Sequence, residues 1–158
     1  MRRLLVRITA GLLVLNGLLI LGALLAKRRL PTHGDEDSDT FALVAAMDGV
    51  EFTSRAEALR AGSATALAGG IEIDLTRAQL AGTATLHLTA IAGGIEVVVP
   101  DDWRVEMTSH ARMGGIDNRT DPDALSDEAP VLLVDARAYF GGIEVRATKD
   151  QAIRSAPE

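Results

Sequence analysis

The sequence predicts an all-β protein, a β-solenoid of about five coils with Gly-Gly corners, preceded by one transmembrane α-helix. Three observations predict it. First, a short phrase recurs: Gly69-Gly70-Ile71-Glu72, Gly93-Gly94-Ile95-Glu96, Gly114-Gly115-Ile116-Asp117 and Gly141-Gly142-Ile143-Glu144, with a weaker copy, Asp48-Gly49-Val50-Glu51, ahead of them. The glycines at 49, 70, 94, 115 and 142 are separated by 21, 24, 21 and 27 residues, the period range of stacked-repeat architectures. Second, residues on either side of each phrase alternate between apolar and polar, the period of a strand. Third, Ile8 to Ala26 is a run of 19 residues without a charge.

A helix across that run would be roughly 28 Å long at ~1.5 Å per residue, close to the ~30 Å hydrocarbon thickness of a bilayer. A cleaved signal peptide has a shorter apolar core and a small-residue cleavage site, whereas here Lys27-Arg28-Arg29 follows at once. The run therefore reads as an uncleaved single-pass anchor in the cell membrane, with residues 8-26 as the part that meets the lipid bilayer. Three basic residues flank each end, so the positive-inside rule selects no orientation. Residues 30-40, with Pro31, Gly34 and the acidic run Asp35 to Asp39, read as a solvated linker. The folded domain is expected over residues 41-147 and a disordered tail over 148-158.

The 158-residue chain has 16 Lys and Arg, and six of them precede residue 30. All 22 acidic residues lie beyond it, against the remaining 10 basic ones. A domain of that charge is repelled by phosphate backbones, so nucleic acid is excluded as a partner. Cysteine is absent, which removes disulfides, thiolate-bound zinc and thiol catalysis.

Within the repeat, the alternation places Phe41, Leu43, Ala45 and Met47; Ala64, Ala66 and Ala68; Leu86, Leu88, Ala90 and Ala92; Val105, Met107, Ser109, Ala111 and Met113; and Leu132, Val134, Ala136, Ala138 and Phe140 on one face ahead of each phrase. After it, Val50 and Phe52, Ile71 and Ile73, Ile95 and Val97, Ile116 and Asn118, and Ile143 and Val145 share a face. The apolar residues bracketing each pair would lie on opposite faces of a simple strand. The glycines (Gly49, Gly69, Gly70, Gly93, Gly94, Gly114, Gly115, Gly141, Gly142) are therefore corners that keep both strands turned to one core. Two constructions satisfy this: solenoid corners, with each strand parallel to its counterpart one coil away, or tight turns in stacked β-hairpins or a sandwich. Near-identical phrases imply equivalent environments and favour the solenoid. Few aromatic residues point inward, so the core must be thin.

Past each corner the outward face presents Glu51, Glu72, Glu96, Asp117 and Glu144, a carboxylate ladder at about 4.8 Å spacing if the coils stack. Arg119 and Arg146 can offset its charge. Such a ladder is an interaction surface, for a cation or a basic peptide, or a solvated face that discourages edge-to-edge aggregation. A hard-cation site needs about six to eight converging oxygens, which favours the solvated face. No catalytic, cofactor or metal constellation is evident. His87 and His110 stand out of register, Ser109 has no base beside it, and no nucleophile elbow or Walker loop occurs. The single Trp103 is expected to close the edge of the core.

The strings Ala68 to Leu80, Ile91 to Pro100 with Trp103 to Glu106, and Tyr139 to Arg146 resemble the C-terminal domain of LiaF-like, cell-wall-active-antibiotic response proteins. The resemblance covers roughly Phe41 to Ala147. It implies a β-helical toastrack module without enzymatic activity, acting in bacterial envelope-stress signalling, where LiaF-type proteins restrain a sensor histidine kinase. This chain departs from them in having one membrane helix rather than several. The expected partners are other membrane or signalling proteins, a histidine kinase among them, or further copies of the chain in a membrane-tethered scaffold.

Overall fold

The computed structural model of the chain describes residues 21–22 and 32–148. The apolar run Ile8 to Ala26, apart from Leu21 and Gly22, and the tail beyond Thr148 lie outside the described residues. Among the described residues no helix is long and apolar enough to cross a membrane.

Each repeat forms one coil. β1 (Thr40–Ala46) and β2 (Gly49–Thr53) make the first, β3 (Leu59–Leu67) and β4 (Gly70–Asp74) the second, and β5 (Leu80–Ile91) and β6 (Gly94–Val99) the third. The fourth and fifth phrases lie inside single long strands, β7 (Arg104–Arg119) and β8 (Val131–Ala147), which run through the corner unbroken. Every pairing between these strands is parallel, and the phrases sit in register. The protein is thus all-β, a parallel sheet wound into a nearly closed, solenoid-like form. Hairpins would require antiparallel neighbours, and none occurs among the eight strands.

Stacking on the counterpart one coil away in the chain holds for the first three coils only. β8 pairs with β5 and β6 on one edge and with β7 on the other. The fifth coil is therefore inserted between the third and the fourth, and the fourth lies at the end. The inward residues explain the exchange. Leu132, Val134, Ala136, Ala138, Ile143 and Val145 of β8 are all buried. In β7, Ser109, Ala111 and Asn118 are exposed, as an end coil permits. The crossover loop, which includes a 3₁₀ turn at Pro122–Ala124, is held by Arg104, whose Nη2 donates to the carbonyls of Ser126 (2.8 Å) and Leu125 (3.2 Å).

The corners differ from the expectation in one respect. The residue before each glycine pair does not face the core: Met47, Ala68, Ala92, Phe140 and Met113 are all exposed. In the first three coils this residue itself makes the bend, with φ of 63° at Met47 and 55° at Ala68 and Ala92. A left-handed residue reverses the in-out alternation, so the last inward position before the corner is Ala45, Ala66 or Ala90. The first glycine then serves close approach rather than bending. A Cβ on Gly69, Gly93, Gly141 or Gly114 would fall well under 3.0 Å from the backbone carbonyl oxygen of the coil beneath, that of Asp48, Gly69, Gly93 or Gly141. Three of those oxygens accept hydrogen bonds from the second glycine of the next coil: Gly70 to Asp48 (3.1 Å), Gly94 to Gly69 (3.0 Å) and Gly142 to Gly93 (3.1 Å). Asp48 can stand in for glycine because it sits on the first coil, with no coil beneath it.

The core is built of columns that follow the register. Beside the corner, Ala45, Ala66, Ala90 and Ala138 stack with Ala111 on the leading sheet, and Val50, Ile71, Ile95, Ile143 and Ile116 stack on the returning one. Small against large keeps the winding thin at low void volume. Trp103 is buried in the same core. At the first coil the Phe41 and Phe52 rings meet at 4.8 Å between centroids, and Gly62 leaves room for the Phe41 ring. Residues 32–39 then lie over this end. His33 and Ala42 form an antiparallel bridge (3.0 and 2.8 Å), and Arg60 N–H donates to the Asp39 carbonyl (2.9 Å). Arg55 pairs with Glu36. The acidic stretch expected to be a solvated linker is largely exposed from residue 32 onward, and these bonds tie it to the first coil.

Candidate functional site

The five predicted carboxylates are brought together, in the order Glu51, Glu72, Glu96, Glu144, Asp117. That order follows from the inserted coil and does not follow from the spacing of the phrases. The ladder divides into two electrostatic halves. Arg146, buried, crosses to the neighbouring coil and pairs with Glu96 (Nε to Oε1 2.7 Å). Arg119 holds Asp117 in its own coil (2.8 Å) and reaches Glu144 in the next (3.4 Å). No arginine or lysine pairs with Glu51 or Glu72 among the described residues. The charge is offset in coils three, five and four, and it is concentrated on coils one and two.

The second glycines run beside this ladder and behave differently from the first. Gly49, Gly70 and Gly115 would place a Cβ with nothing within 4 Å, and for Gly94 and Gly142 the nearest atoms are carbonyl oxygens at 4.0 and 3.8 Å. None of the five has a positive φ. Neither packing nor backbone conformation demands glycine at these positions. Together they floor an open groove of about 830 Å³ that crosses all five coils, with the carboxylates along one bank. Across four intervals of ~4.8 Å its length is roughly 19 Å. The recurring Gly-Gly thus divides into one glycine the stacking requires and one that keeps the groove clear. Sequence reasoning treated the pair as a unit and missed that division.

The remaining sequence candidates do not converge. His87 lies opposite Asp135, with Nδ1 3.6 Å from its Oδ2, and Arg137 also reaches that carboxylate (2.8 Å). His110 lies opposite Arg137 on the end coil. Among the described residues no group of three or more His, Asp or Glu is placed to hold a metal ion. Ser109 is exposed on β7 with Ala136 opposite it. No family model, curated protein or solved structure matches the chain.

Proposed function

We propose that the chain is a non-enzymatic, membrane-anchored interaction module of a bacterial envelope-stress response, and that it docks an extended basic segment of a partner protein along the glycine-floored groove. The observation that carries this reading is the column of second glycines. Glycine within a strand costs roughly 0.5–1 kcal/mol relative to alanine, and it commonly marks a place where a ligand or another backbone approaches closely. Five copies retained where the fold has no use for them keep a floor open to a bound chain. Glu51 and Glu72, which no arginine or lysine among the described residues pairs with, supply the complementary charge. The anchor at residues 8-26 and the resemblance to LiaF-like domains support the membrane setting, and the same resemblance makes a sensor histidine kinase the partner class to test first.

A basic probe peptide such as hexa-lysine, titrated into the full chain in detergent micelles, tests the reading. Binding is expected, weakened by Glu51→Gln with Glu72→Gln and abolished by Gly70→Leu, which fills the floor without touching the core. An absence of heat, or equal binding by all variants, would sink it. A self-assembling scaffold is the second reading, favoured by the open edge of β7.

A further inference from the structure

The two ends of the winding are unequal. Residues 32–39 and the Phe41 and Phe52 rings lie over the first coil, whereas among the described residues β7 pairs with β8 alone and leaves a 16-residue strand with one free edge. Its inward positions show the consequence. Ser109 and Ala111 are exposed and Met107 and Ile116 half-buried, while Ala136, Ala138, Val134 and Ile143, their counterparts on β8, are buried. Met113 and Phe140, register neighbours at the corner of this end, are 66% and 62% exposed. Stacked-repeat proteins need both ends covered, and a free, apolar edge strand is a template for pairing.

We infer that a second copy of this chain covers the β7 end, in a two-fold, end-to-end dimer with β7 antiparallel to β7 across the axis. The first coil is barred as the cover. On β1 its outer edge is engaged by residues 32–39 at the His33–Ala42 bridge. Asp48 also stands where every stacked coil has glycine, and its Cβ would project into the carbonyl of whatever coil lay beneath it. Head-to-tail growth into a filament is therefore blocked, and the two-fold arrangement, which closes on itself, is left.

The register follows from the core. Inward residues are odd-numbered before the corner of β7 (Met107, Ser109, Ala111) and even-numbered after it (Ile116, Asn118). In a pairing that runs through the corner, inward positions before it meet inward positions after it only if paired residue numbers sum to an odd value. Superposing the corners places the axis between Met113 and Gly114. Ala111 then opposes Ile116, Ser109 opposes Asn118 and His110 opposes Asp117, each twice by symmetry. From Thr108 to Arg119 no two like charges face each other. The dimer joins the two cores and consumes both free edges.

The chain has no cysteine, so single substitutions report the contact directly. Met113→Cys in the full-length chain, in membranes under mild oxidation, should give a disulfide-linked species of twice the chain mass. Met47→Cys, the equivalent corner residue at the first-coil end, should not. Ala111→Arg sets an unpaired charge against Ile116 of the other copy at a position exposed in the single chain, so it should leave the β-sheet circular dichroism spectrum unchanged while lowering Met113→Cys cross-linking at least about tenfold. Equal cross-linking at both corners, no cross-linking at Met113→Cys, or cross-linking indifferent to Ala111→Arg would overturn the inference.

Discussion

Gly93→Ala is the substitution in which the corner chemistry is most exposed. The new methyl would sit well under 3.0 Å from the Gly69 carbonyl oxygen, 3.1 Å from the Gly69 nitrogen and 3.3 Å from the Ala66 Cβ, and two of these three obstacles are backbone. Relief requires moving one coil against the next. That movement loosens the Gly94 to Gly69 hydrogen bond (3.0 Å), because the obstructing oxygen is also its acceptor. Overpacking at the upper end of its usual range plus part of one hydrogen bond gives about 3 kcal/mol of destabilisation. For a domain of this size that is a fall of roughly 12 °C in Tm. Gly94→Ala is the matched control, since its Cβ has nothing closer than an oxygen at 4.0 Å. It should leave Tm unchanged or raise it, by about 0.5 kcal/mol, through the lower entropy of the unfolded chain. Thermal unfolding of the full chain in micelles, followed by circular dichroism in the β-sheet band, measures both. Equal losses at Gly93 and Gly94 would refute the division of the pair into a stacking glycine and a floor glycine.

Ala90→Leu inserts three carbons into the alanine column, where the side chain is fully buried and faces the isoleucine column across a thin core. It should cost about 1–3 kcal/mol in chemical denaturation, whereas the same change at exposed Ala92 should cost little. In the acidic stretch, the Ser38 hydroxyl donates to Asp35 (2.6 Å) and, with a lesser contribution from the Asp35 backbone N–H, lowers the carboxyl pKa below the ordinary aspartate value of about 3.9. Because the folded value is the lower one, the contribution is present at neutral pH and is lost as pH falls from the ordinary value through the folded one. Carboxyl NMR titration should show the lowered value, and Ser38→Ala should return it upward; no change on that substitution would contradict the assignment.

Much of the winding was legible because the repeat encodes it locally. A phrase that recurs with glycine, an inward aliphatic and an outward acid prescribes equivalent corners, and equivalent corners stack in register. Alternation placed Leu86, Leu88 and Val134 inward correctly because each lies well inside a strand. It failed at Met47, Ala68, Ala92, Met113 and Phe140 because alternation assumes extended backbone, and a left-handed residue at the bend breaks the count in the first three coils. Coil order was not legible from spacing, since a chain can return past its neighbour through the loop at 120–130. The signal was nonetheless present in composition. Ser109 and Asn118 on the inward face of the fourth coil mark a coil with one face to solvent, and the wholly apolar inward face of the fifth marks one covered on both sides. The carboxylate ladder was legible as five acids, but its pairing with Arg146 and Arg119 depended on that same order. The attachment of residues 32–39 escaped notice because its bonds are largely backbone, and an acidic run carries no pattern that predicts them.

The inserted fifth coil underlies the ladder order, the groove and the free β7 edge, and paired cysteines test it most directly. In the register observed, His87 on β5 lies beside Asp135 on β8, and Asp135 lies beside Thr108 on β7. Neighbouring strands about 4.8 Å apart are within disulfide reach, and strands two apart, near 10 Å, are not. The double variant His87→Cys with Asp135→Cys should therefore form an internal disulfide under mild oxidation, and His87→Cys with Thr108→Cys should not. The reverse outcome, a bond from position 87 to 108 and none to 135, would mean that the coils stack in chain order and would contradict the account.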